Sequence, residues 1–86
     1  MEQQTGHPQG VPLHTLLPHQ RGVITDLSGG HGLLSRMATL GFTPGAEVTM
    51  VQNFGHGPLI VLIRGARVAL GRGEASKVYV RLLNDV

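Results

Sequence analysis

The sequence predicts a mainly β fold, a small barrel of about five short strands with one short helix inserted after the first, and three observations carry that expectation. At 86 residues the chain has room for a single core. Thirteen glycines and five prolines beside only 14% charged residues favour many short elements joined by tight turns. Short apolar segments with strand character recur along the chain, and one stretch between the first two switches to a helical period.

Residues 1–10 are mostly Gln, Gly, His and Pro with almost no apolar content, too little burial to offset ordering entropy, so a disordered tail is expected there and a folded domain over 11–83. Val11, Leu13, Leu16 and Leu17 predict an edge segment or one helical turn covering the barrel, ended by Pro18. Between Gly22 and Leu27 the β-branched run Val23-Ile24-Thr25 predicts a strand that Ser28-Gly29-Gly30 stops. Leu33, Leu34, Met37 and Leu40 then recur at helical spacing, with Ser35, Arg36 and Thr39 on the opposite face. Gly41 is placed to cap this helix in the left-handed conformation, with Phe42 touching Met37 as the accompanying apolar contact. Thr43-Pro44-Gly45-Ala46 fits a type II turn, because Pro presets φ at the second position and Gly supplies positive φ at the third.

Glu47 to Gln52 alternates as a half-buried strand should, and a Gly-rich loop, Asn53 to Pro58, closes it. Leu59 to Ile63 is apolar on both faces, as a central strand would be. Gly65-Ala66 suits a two-residue type II′ turn leading to a strand at Arg67 to Leu70. Two glycines at 71 and 73 each cost about 1 kcal/mol in a helix, so at most one helical turn is expected at Glu74-Ala75-Ser76. Val78, Val80 and Leu82 alternate as a last strand. Closing these strands around one core suits an SH3-like barrel better than an open sheet with exposed edges.

Several functions are disfavoured. With no cysteine there is no disulfide framework, thiolate cage or thiol nucleophile. The acidic opening lacks a secretory signal, and the longest apolar run falls far short of the ~20 residues of a membrane helix, so a cytoplasmic chain without membrane insertion is expected. Net charge is only +2 and aromatics make up 3%, a poor basis for nucleic-acid binding. Ser28-Gly29-Gly30-His31-Gly32 lacks the Lys and Ser/Thr of a phosphate loop. Within the folded region only Asp26, Glu47 and Glu74 are acidic, and no catalytic constellation stands out. The five histidines show no helical chelate spacing; His31 with His56 is the sharper metal possibility, should their loops converge.

What remains is a docking surface. Arg36 on the outer helix face and Arg64 and Arg67 beside the hairpin are either ordinary solvated charge or partner contacts, since Arg is enriched at interface hot spots. Phe54 is either a core lid or an exposed anchor, and Met37 completes the candidate partner-binding set.

Gly22-Val23-Ile24, Leu40-Gly41-Phe42-Thr43-Pro44-Gly45-Ala46-Glu47-Val48, Gly57-Pro58-Leu59-Ile60-Val61, Val68-Ala69-Leu70, Glu74-Ala75 and Val78-Tyr79-Val80 together resemble the FeoA family of bacterial ferrous iron transport, from about Val11 to Leu82. The resemblance implies an SH3-like barrel without catalysis or cofactor that assists FeoB, a membrane iron transporter with a cytosolic GTPase domain. It makes Gly41, Phe42, Pro44 and Gly45 the structural motif that joins helix to barrel. A second reading is a metal-sensing regulatory domain similar to the SH3-like tail of diphtheria-toxin-repressor-type regulators, against which the missing helix-turn-helix argues.

Overall fold

The computed structural model describes residues 10–83, so the tail expected at 1–10 lies, Gly10 apart, outside the described residues. Six strands form one antiparallel sheet: β1 (Val11–Pro12), β2 (Arg21–Leu27), β3 (Glu47–Gln52), β4 (Leu59–Ile63), β5 (Ala66–Leu70) and β6 (Val78–Leu82). Helix α1 (His31–Leu40) follows β2, and a short α2 (Arg72–Ala75) links β5 to β6. In space the strands run β1-β6-β2-β3-β4-β5. The expected count of five becomes six because the segment expected to be an edge piece or a helical turn is both: Val11 and Pro12 pair with Val80 and Tyr79, and Leu13–Thr15 then forms one turn of 3₁₀ helix.

Bulges curl the sheet. The β2–β6 register slips between Ile24 and Asp26, where Thr25 Oγ1 donates to the Tyr79 carbonyl at 3.2 Å, and β3–β4 slips between Met50 and Gln52. Each extra residue increases local twist, so the sheet wraps on itself instead of lying flat. Its inner face carries a core with no buried polar or charged side chain: Ile24, Val48, Met50, Leu59, Val61, Ile63, Leu70, Val78 and Val80 from the strands, sealed by Leu13, Leu16, Met37, Phe42 and Ala75. Gly22 lets β6 approach closely, since a Cβ there would sit 3.0 Å from Val80 Cβ.

Two turn expectations are corrected. The β4–β5 hairpin is of type I′, with Arg64 (φ 51°) and Gly65 (φ 79°) as its central pair, in place of the expected type II′ turn at Gly65-Ala66. That arrangement matches the right-handed twist of the flanking strands, and it starts β5 at Ala66. Helix α2 begins at Arg72, earlier than the expected turn at Glu74. The Gly71 N–H donates to Glu74 Oε1 at 3.2 Å and the Ser76 N–H to the Arg72 carbonyl at 2.9 Å, which holds this start in place although glycines stand on both sides of Arg72. In α1, Met37 is fully buried and Leu33 and Leu40 pack on the core, while Leu34 turns outward.

Candidate functional site

One end of the barrel is built by the run from Leu40 to Ala46. Gly41 adopts φ 100° and closes α1 with paired bonds, its own N–H to the Ala38 carbonyl at 3.0 Å and that of Phe42 to the Met37 carbonyl at 2.9 Å. This is the Schellman arrangement, and it needs a residue tolerant of positive φ. Phe42 enters the core beside it. The next turn closes with the Ala46 N–H on the Thr43 carbonyl at 3.0 Å and Gly45 at φ 92°, as a type II turn requires. The turn is anchored to β2 on both sides, by Gly45 N–H to the Ile24 carbonyl and Ile24 N–H to the Ala46 carbonyl.

Arg64 reaches back onto this end. Its Nε donates to the Gly41 carbonyl at 3.4 Å and its Nη2 to Thr43 Oγ1 at 3.2 Å, and its Cδ would lie 2.8 Å from a Cβ at Gly41. A cation at a helix C-terminus is also favoured by the helix dipole. Arg64 thus joins hairpin to helix cap across 23 residues. Beside it, Pro44, Gly45, Ala46, Glu47 and Arg64 line an open surface cavity of about 470 Å³. Glu47 on its rim is already paired with Arg21 at 2.7 Å.

The opposite end is held by side chains. Asn53 Nδ2 donates to the Leu16 carbonyl at 2.7 Å and the His14 carbonyl at 3.1 Å, while Asn53 Oδ1 accepts from Gly55 N–H and from Arg72 Nη2, each at 3.0 Å. Arg72 also donates to the carbonyls of Gly57 at 3.2 Å and His14 at 3.4 Å. Three separate segments meet at these two side chains: the 3₁₀ turn, the β3–β4 loop and the start of α2. Phe54 is therefore presented, 70% exposed, on a fastened loop, which excludes the core lid. Neither Asn53 nor Arg72 is singled out by sequence pattern. The one available signal is Asn53-Phe54-Gly55 after a strand, the signature of an Asx turn, which is what Gly55 N–H to Asn53 Oδ1 forms.

The candidate partner residues thus separate. Met37 leaves the set, because its side chain is fully buried and helical spacing alone does not tell a core face from a contact face. Arg64 is tied to the helix cap. Arg36 is exposed and forms an ion pair with Glu74. Arg67 is exposed on the outer face of β5, opposite Leu62, in a row that continues through Thr49 to Arg21. His31 opens α1 and His56 lies in the β3–β4 loop, and among the described residues no group of three His, Asp or Glu is placed to hold a metal ion. Among the same residues no helix is long and apolar enough to cross a membrane.

Comparison with known proteins gives this surface a context. A Methanocaldococcus jannaschii protein named as an Fe(2+) transport protein A is 29% identical over 58 residues, 67% of this chain and 70% of that one. The crystal structure of an iron uptake regulatory protein, FeoA, superposes with a TM-score of 0.82 at 35% identity, covering 86% of this chain and 99% of the other. Stenotrophomonas maltophilia FeoA in complex with zinc, a prokaryotic SH3-domain protein, is 36% identical with a TM-score of 0.67 over 79% of this chain and 86% of that one. A manganese-dependent transcriptional repressor shares the fold alone, with a TM-score of 0.79 at 23% identity, 93% of this chain lying on 45% of the repressor. With the FeoA domain matching residues 11–82, from the start of β1 to the end of β6, the chain belongs to the FeoA family of ferrous iron transport and carries its SH3-like fold.

Proposed function

We propose that this domain is a non-catalytic docking module on the cytoplasmic side of the membrane, where it binds the cytosolic, GTPase-bearing region of a FeoB-type transporter and modulates ferrous iron uptake. The observation that carries the reading is the family match across the entire barrel. Surface charge supports a partner of opposite sign: the described residues hold seven Lys and Arg against Asp26, Glu47 and Glu74, and two of those carboxylates are engaged by Arg21 and Arg36. Arg67 stays exposed, with no hydrogen bond or ion pair to another described side chain. Such an imbalance steers association with an acidic surface and raises its rate more than its final strength.

The test is association of the purified domain with the transporter's cytosolic region, with GDP, with a GTP analogue and without nucleotide, beside ferrous uptake in cells lacking the domain. Saturable binding in at least one nucleotide state and altered uptake are expected. No association in any state, with uptake intact after deletion, would remove the reading.

A further inference from the structure

The sheet has two edges, and they are finished differently. β1 is two residues long and one of them is Pro12, which has no N–H to offer a neighbour. Short strands and proline are ordinary ways of making an edge unreceptive. β5 has neither protection. It pairs with β4 through five consecutive residues without a bulge and contains no proline or lysine.

The hairpin fixes which of its backbone groups are free. With a two-residue loop, Ile63 and Ala66 form the first hydrogen-bonded pair, so Ala66, Val68 and Leu70 turn their N–H and C=O groups toward β4. Arg67 and Ala69 turn theirs away. Both residues are exposed, and no described backbone group bonds to either from that side. The outer face beside them adds Leu62, 39% exposed, and the half-buried Ile60, which pair with Arg67 and Ala69.

From this we infer that the β5 edge is a strand-addition site for an extended, acidic segment of the docking partner, whose backbone bonds to Arg67 and Ala69 and whose carboxylate meets the Arg67 guanidinium. Backbone pairing at an open edge supplies the affinity in this mode of recognition, and alternate side chains supply the specificity. The charge argues for an acidic partner over a second copy of this chain. An antiparallel β5–β5 pair would bring two Arg67 side chains onto one face within about 8 Å, and like charges across a pair are unfavourable. Among the described residues Glu47 and Glu74 are held by Arg21 and Arg36, and Asp26 stands on β2, with β3 and β4 between it and this edge.

The inference rests on the docking reading and names its surface, so the experiment separates the two. Amide hydrogen exchange is measured on the domain alone, at rising concentration, and with the transporter's cytosolic GTPase-bearing region. Complex formation is expected to slow exchange at Arg67 and Ala69 at least tenfold. Ala69→Pro, which removes an outward N–H and no bond of the described fold, is expected to weaken binding at least tenfold with an unchanged melting temperature, and Arg67→Glu, which leaves the backbone intact, about three- to tenfold. A complex that forms without slowing exchange at Arg67 and Ala69, or with full affinity in both variants, overturns the edge site while docking stands. Protection that appears with concentration in the domain alone overturns the acidic partner in favour of self-pairing, and failure of any complex to form removes the docking reading and the edge with it.

Discussion

The two ends of this barrel are organised by different chemistry. At one, the Gly41 cap and the Pro44 turn are backbone structures, encoded by neighbouring residues and merely steadied by Arg64. At the other, Asn53 and Arg72 tie together segments as far apart as His14 and Arg72, through side-chain bonds to carbonyls. The two lie at opposite ends of β3, six residues or about 20 Å of strand apart. The lesson is that a rigid rim can be made locally, by residues whose φ is restricted, or globally, by one or two polar side chains that join what the chain keeps apart.

The contrast can be broken first at the local end. Gly41→Val places a β-branched residue at φ 100° and drives a Cβ to 2.8 Å from Arg64 Cδ. The expected loss is about 2–4 kcal/mol, seen as a fall of about 10–20 °C in melting temperature. A variant as stable as the parent would contradict the cap. At the global end Asn53→Ala takes the side-chain donor from the Leu16 carbonyl, one of two donors from the His14 carbonyl and an acceptor from the Arg72 guanidinium, and the expected cost is smaller, about 1–3 kcal/mol. Its effect should be spread over the 3₁₀ turn, the β3–β4 loop and α2 together, read as faster amide exchange in all three. Faster exchange in the loop alone would deny the shared fastening. The smallest effect is expected at Phe54→Ser. With the ring 70% exposed, stability should stay within about 0.5 kcal/mol of the parent by denaturant unfolding. A larger loss would return Phe54 to the core.

The same contrast explains what could be read from the sequence. β3, β4 and β6 match their expected bounds: in β3 and β6 alternation over five or six residues leaves little freedom of register, and in β4 an unbroken apolar run is closed by Pro58 on one side and by Arg64-Gly65 on the other. The Leu40–Ala46 junction was legible for a related reason, since only a few residue types tolerate its φ values, and those residues stand there in order. Where the reading failed, the deciding partner lay far away in sequence. Arg64 is an uncommon choice for positive φ, and its bonds to Gly41 and Thr43 are invisible to a local scan, so the turn lies one residue earlier than the Gly65-Ala66 pair suggests. Arg72 starts α2 between two glycines while its side chain is held by Asn53, Gly57 and His14. Met37 carries the apolar periodicity of a helix face, which does not say whether that face meets the domain's own core or a partner. The proposed docking residues stay the least legible part, because an exposed arginine has the same local sequence whether solvent or protein lies over it.

The most direct measurement of the docking account is a chemical-shift titration of the labelled domain with the transporter's cytosolic GTPase-bearing region in each nucleotide state. The account predicts saturable shifts centred on exposed residues of the β5 edge, Arg67 and Ala69, with core signals such as those of Val61 and Val80 unmoved. Spectra unchanged in every nucleotide state at saturating partner would contradict it.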